Sequence, residues 1–190
     1  MKQSLLPLVG ILIVLILIAG PVALALHQQA EMRNFRVVRE GALYRSGQMS
    51  LSALKRIVHD YGIRTIVCLR DGNTRADAQE EKYCQKEELN YVRIPPLHWE
   101  VENGRAPVDE GIRKFLEVVR DPKQQPVLIH CFAGIHRTGG YCAVFRMECD
   151  GWSNDRAIDE MKALGYFNLE NEGDILGYLE RYRAARVEQK

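Results

Sequence analysis

The chain has 190 residues, 46% of them hydrophobic and 27% charged, with 26 lysines and arginines against 25 acidic residues. That length suits one globular domain plus something extra, and a net charge of +1 leaves no global field to gather nucleic acid, so any bound anion needs a local source of positive potential. The five cysteines, Cys68, Cys84, Cys131, Cys142 and Cys149, lack the paired spacing of a secreted disulfide framework.

The extra part comes first. Residues 5–26 carry no charge and are mostly leucine, isoleucine, valine and alanine. As a helix they reach about 33 Å at about 1.5 Å per residue, against a bilayer core of about 30 Å. The sequence therefore predicts a single-pass N-terminal membrane helix over residues 1–27. It is preferred to a cleaved secretory signal because the run exceeds the usual signal core of about 7 to 15 residues. Arg33, Arg36 and Arg39 follow it, and together with the unpaired thiols they lean the following domain towards the cytoplasm. Residues 28–34 read as a polar linker and residues 35–190 as one domain.

Short strands are predicted at 35–38 and 42–45 around Gly41. A helix starts at 51, capped by Ser50, with Leu51, Leu54, Ile57 and Val58 at helical spacing. Residues 63–69 read as a buried strand, Asp71-Gly72-Asn73 as a turn and 75–89 as a surface helix. A strand over 91–94 stops at Pro95-Pro96, and a loop to about 107 leads to a helix over 108–119 and a strand over 127–129. Residues 141–149 are helix-capable, and further helices are predicted at 153–164 and 175–186. This alternation predicts an α/β fold with a mostly parallel central sheet flanked by helices, in which sites gather at the carboxyl ends of strands.

At one such end stands His130-Cys131-Phe132-Ala133-Gly134-Ile135-His136-Arg137-Thr138-Gly139. A strand, a tight loop and a helix aim backbone N–H groups and a helix N-terminus at one point, where an anion is stabilised. Cys131 occupies that point, so its thiol is expected to ionise readily and act as a nucleophile. Arg137 offers a planar fork of donors that matches two oxygens of a phosphate.

This segment resembles the active-site loop of the protein tyrosine and dual-specificity phosphatases: His-Cys, five residues, Arg, then Ser or Thr. More narrowly, residues 43–48 and 62–70 resemble the atypical dual-specificity phosphatases of bacteria, plants and fungi, and the likeness runs from about 35 to about 182. The resemblance implies a cysteine-phosphatase-like domain that hydrolyses phosphomonoesters through a cysteinyl-phosphate, of protein-tyrosine or dual-specificity type. It makes Cys131 the nucleophile and Arg137, with Phe132, Ala133, Gly134, Ile135 and His136, the phosphate cradle. Thr138 would hydrogen-bond the sulfur, and His130 would brace the loop from behind. It implies no metal and no organic cofactor.

Relatives place an acid on a loop a few tens of residues before the cysteine, usually an aspartate. Residues 97–102 contain none; Glu100 and Glu102 are the nearest carboxylates there, with His98 beside them. Asp71, after the 63–69 strand, is the other candidate, and His136 lies where some relatives carry a residue proposed to handle protons. Asp71 and Glu100 rank first. Plant and fungal relatives often carry a lysine before the His-Arg pair, some of them associated with inositol pyrophosphates, whereas this chain has Ile135. Arg45 and Arg70 either restore that charge or serve as structural ion-pair partners. A rim of Phe132, Ile135 and Trp99 suits an aryl phosphate or a lipid headgroup at the membrane. The expected substrate is a phosphorylated protein or, alternatively, a phosphoinositide, another phospholipid or an inositol phosphate. Two readings compete: a non-catalytic phosphate-binding module at the membrane, disfavoured by the presence of both Cys131 and Arg137, and a rhodanese-like sulfurtransferase, whose loop is spaced differently. Cys68, Cys84, Cys142 and Cys149 read as packing residues. His130, Cys131 and His136 lack a fourth ligand and a familiar metal spacing.

Overall fold

The computed structural model describes residues 14, 17–22, 31–101, 104–167, 169–171 and 173–184. Five strands, β1 (Arg36–Arg39), β2 (Leu43–Ser46), β3 (Thr65–Cys68), β4 (Asn90–Arg93) and β5 (Val127–His130), form one sheet in the order β1-β2-β5-β3-β4. The β2, β5, β3 and β4 strands run parallel to their neighbours, while β1 is antiparallel to β2. The sheet is therefore mixed, because the connection through Gly41, at φ 69°, is too short for a crossover.

The helices are α1 (Leu51–Tyr61), α2 (Arg75–Lys86), α3 (Val108–Arg120), α4 (His136–Cys149), α5 (Asn154–Ala163) and α6 (Gly173–Arg181), with a 3₁₀ turn at Leu169–Asn171. Their ends follow local chemistry. Ser50 Oγ accepts from the Ala53 N–H at 3.2 Å to start α1, and Gly62, at φ 60°, ends it. Thr74 and Asp77 form a reciprocal capping box at the start of α2.

Alternate strand residues point to opposite faces. Leu43, Val67, Val127 and Ile129 pack with α3 and α4 residues such as Ile112, Phe115, Val144 and Phe145, and with Ile158 and Leu179 beyond them. Tyr44, Ile66 and Leu128 pack on the other side with Leu54 and Ile57 of α1 and Cys84 of α2. Because helices cover both faces, the central strands β2, β5 and β3 are buried throughout.

Two expectations change. Helix α4 begins at His136, five residues before the predicted stretch, so Arg137, Thr138 and Gly139 already belong to its first turn. Two glycines lower helix propensity there, and packing overrides them. The expectation of a membrane-localised chain is also corrected: no helix among the described residues is long and apolar enough to cross a membrane. Most of residues 5–26, on which that expectation rested, lie outside the described residues.

Candidate active site

Ser46 of β2 and Cys68 of β3 both pair with His130 of β5, so three strands end on one rung and the chain leaves β5 into a loop over residues 131–135. What shapes that loop is the fate of its carbonyls. His130 Nδ1 lies 3.3 Å from the Cys131 oxygen, and the Gln48 N–H donates to the Phe132 oxygen at 3.0 Å. Asn34 Nδ2 donates to the Ala133 oxygen at 2.8 Å, and Arg45 Nη2 to the Gly134 oxygen at 2.8 Å. Four successive carbonyls are thus held from outside. In a trans planar peptide the N–H points opposite to the C=O, so the N–H groups of residues 132–135 turn towards the concave side. One of them is seen there: the Gly134 N–H donates to Cys131 Sγ at 3.2 Å.

The loop can lie this close to β2 only because two glycines face each other. A Cβ on Gly134, which sits at φ 76°, would fall 2.3 Å from the Gly47 nitrogen, and one on Gly47 would fall 2.8 Å from the Ala133 oxygen.

Cys131 is 2% exposed. Burial opposes its ionisation, but the hydroxyl and backbone N–H of Thr138, the Gly134 N–H and the Arg137 charge outweigh burial and hold the thiol below its ordinary value. Thr138 Oγ1 is buried with no partner at hydrogen-bond distance among the described residues, which leaves its hydroxyl to turn towards the sulfur. Burial acts the other way on the packing cysteines, and with the nearby Glu80 charge it pushes Cys84 up to about 12 and, chiefly by itself, Cys142 up to about 11. Arg137 is half-buried, and its Nη1 donates to the Leu69 oxygen, just beyond β3, at 2.6 Å. One nitrogen fixes the guanidinium plane and the others remain as donors.

The structure brings together Cys131, Phe132, Ala133, Gly134, Ile135, His136, Arg137 and Thr138. Phe132 is 53% exposed at the rim, with Arg33 at 4.3 Å and Arg70 at 5.5 Å from its ring centre. The exposed His136 ring stacks on Tyr166 with centroids 4.4 Å apart. Of the acid candidates, Asp71 is exposed one residue beyond Arg70, and Glu100 is exposed on the loop between β4 and α3; Glu102 lies outside the described residues.

Three sequence expectations are refined. Trp99 is buried rather than on the rim: it meets Tyr141 and Tyr178 edge-on at 5.7 and 5.2 Å, and it fills the space where a Cβ of Gly140 would fall, 2.5 Å from its ring. Arg70 is an ion-pair partner, with Nε 3.0 Å from Oδ1 of the fully buried Asp77. Arg45 is buried and serves the loop backbone. Sequence reasoning missed Asn34 and Gln48 as loop supports. The run Arg45-Ser46-Gly47-Gln48 was the available signal, since it follows a strand parallel to β5.

Behind the loop, Cys68, Glu80 and His130 place three polar atoms of metal-binding type within 4.8 Å of one another. Their spacing is accounted for by hydrogen bonds: Glu80 Oε1 lies 2.9 Å from His130 Nε2 and accepts from Tyr91 at 3.1 Å. Cys68 Sγ accepts from Arg93 at 3.8 Å. They form a buried polar network.

The same fold exists in known proteins. The catalytic core of SIW14 from Saccharomyces cerevisiae, a PP-IP phosphatase, superposes with a TM-score of 0.63 at 22% identity, covering 79% of this chain and 85% of that one. Pseudomonas aeruginosa TpbA gives 0.63 at 20% identity, covering 79% and 85%. At these identities the likeness is one of fold. In sequence, the chain is 33% identical over 133 residues to rice (Oryza sativa subsp. japonica) inositol diphosphatase DSP1, covering 67% of this chain and 54% of that protein. It is also 33% identical over 101 residues to the rice protein named probable NAD kinase 2, of which it spans 10%. The chain thus spans about half or less of these two relatives. The model of the family described as DSP-PTPase phosphatase fused to NAD+ kinase matches residues 21–173, a stretch that holds the whole sheet and the loop, and on that match the chain belongs to the DSP-PTPase phosphatases.

Proposed function

We propose that the chain hydrolyses phosphomonoesters through a covalent intermediate on Cys131, in a catalytic domain that begins near residue 35. The observation that carries this reading is a thiol biased towards thiolate at the centre of a loop whose first four carbonyls are held outward. The Cys131 thiolate attacks phosphorus; the S–P bond forms as the ester P–O bond breaks, and the leaving oxygen takes a proton. Water then attacks phosphorus, the S–P bond breaks, and inorganic phosphate leaves with the thiolate restored. Arg137 and the loop N–H groups hold the equatorial oxygens, with charge placed where the transition state develops it.

The exposed Phe132 ring suits an aryl phosphate such as phosphotyrosine. A second reading, an inositol phosphate or phosphoinositide, is favoured by the Arg33 and Arg70 guanidiniums beside that ring and by the relatives named inositol diphosphatases. Phosphate release by the full chain from phosphotyrosine peptides, phosphoinositides and inositol phosphates tests both. The aryl reading expects the largest kcat/KM on the peptide, the second on an inositol phosphate, and no release from any of them rejects the proposal.

Asp71 and Glu100 are the groups proposed to protonate the leaving oxygen. Glu100→Gln is expected to lower turnover about 10²-fold for an alkyl phosphate and far less for a nitrophenyl ester, whose leaving group needs no proton. If Glu100→Gln treats both esters alike and Asp71→Asn shows the split, the role passes to Asp71.

A further inference from the structure

His130 is 2% exposed at the end of β5, and both of its ring nitrogens face oxygens. Nε2 lies 2.9 Å from the Glu80 carboxylate, and Nδ1 lies 3.3 Å from the Cys131 carbonyl. Both oxygens only accept. A neutral imidazole carries one N–H, so one of its nitrogens would turn a lone pair on an acceptor in a site closed to bulk solvent. The imidazolium carries two N–H groups and satisfies both. Glu80 is 6% exposed on α2, and Tyr91 of β4 donates to the same oxygen at 3.1 Å, which steers the carboxylate onto the ring.

Building on the phosphatase reading, we propose that Glu80 is a positioning residue for the reaction: it keeps His130 as an imidazolium whose Nδ1–H holds the Cys131 carbonyl and favours the Cys131 thiolate. The Glu80–His130 pair is neutral overall, but its positive end adjoins the nucleophile while its negative end lies beyond the ring. Burial disfavours the charged ring, and the Glu80 carboxylate, with a contribution from Cys68, overrides it, so the His130 pKa stands well above the ordinary imidazole value. The other titratable groups facing the ring are Cys68 from β3 and Tyr91 from β4, with Arg93 of β4 reaching Cys68 Sγ at 3.8 Å. From β2 the neighbour on the rung is Ser46.

The first test uses the wild-type full chain with ¹⁵N-labelled histidine. At pH 8 both His130 nitrogens are expected at protonated shifts, and one protonated with one bare nitrogen would overturn the proposal. The second uses Glu80→Gln, which keeps the side-chain length and donates its amide N–H to Nε2, so the Nδ1 contact with the loop persists without the charge. The pH midpoint of Cys131 alkylation by iodoacetamide is expected to rise by about one pH unit, leaving about tenfold less thiolate below the midpoint. A folded variant with an unchanged midpoint would overturn the proposal, because a merely structural Glu80 is replaced by glutamine without effect on the thiol. If the variant does not fold, the wild-type spectrum still decides. Neither measurement needs turnover. A chain that passes both yet releases no phosphate from any ester would reject the phosphatase reading and leave the role of Glu80 standing.

Discussion

Cys131→Ser is expected to abolish turnover, with a loss of about 10⁴-fold or more, while an aryl phosphate still binds. The reason lies in what the loop is built to stabilise. The donors around Sγ, from Thr138 and Gly134, favour an anion at that position, and Cys131 itself is 2% exposed. A serine hydroxyl ionises several orders of magnitude less readily than a thiol, so the same donors do not generate a nucleophile from it. Arg137 and the inward N–H groups are unchanged, so affinity persists. Calorimetry with a slowly hydrolysed aryl phosphate and a stopped phosphate-release assay measure the two halves separately. Residual turnover within tenfold of wild type would remove Cys131 from the chemistry, and loss of binding alongside turnover would mean that serine had collapsed the loop.

Arg137→Lys is expected to cost about 10²- to 10³-fold in kcat/KM, or about 3 to 4 kcal/mol of transition-state stabilisation. The charge is kept, so the loss isolates geometry. The guanidinium commits Nη1 to the Leu69 oxygen at 2.6 Å and retains further nitrogens in the same plane for phosphate. A lysine ammonium is a compact point charge that cannot hold that carbonyl and two phosphate oxygens in one plane. Steady-state kinetics should show the loss mainly in kcat, because the equatorial oxygens spread into the guanidinium plane in the transition state. A loss confined to KM would assign Arg137 to ground-state binding.

Much of this site was legible in the sequence because its signals are local. The spacing of Cys131 and Arg137, the glycines between strand and helix, and the caps Ser50 and Thr74 depend on neighbours a few residues away. The supports of the loop are of another kind. Asn34 and Arg45 reach residues 99 and 89 positions along the chain, and Glu80 reaches His130 across 50. Nothing near those residues marks them: Glu80 sits on a polar helix and reads as one surface charge among several, and only the packing of α2 on the sheet buries it. Trp99 was misplaced for a related reason. An aromatic residue on a long loop reads as a rim residue, whereas here its ring is taken up between Tyr141 and Tyr178. The α4 boundary was missed because Gly139 and Gly140 mimic a turn, although their backbone is helical.

Those two glycines differ in what they record. A Cβ on Gly139 would meet the end of the Met161 side chain at 3.0 Å, a flexible neighbour that can give way, whereas one on Gly140 would strike the Trp99 ring at 2.5 Å. The second glycine of the Thr138-Gly139-Gly140 run is therefore a constraint written by a distant segment of the chain, and phosphate chemistry plays no part in it. Positions 99 and 140 form one lock and key: a bulkier residue at 140 is admissible only with a smaller one at 99, so a change in either is legible only beside its partner.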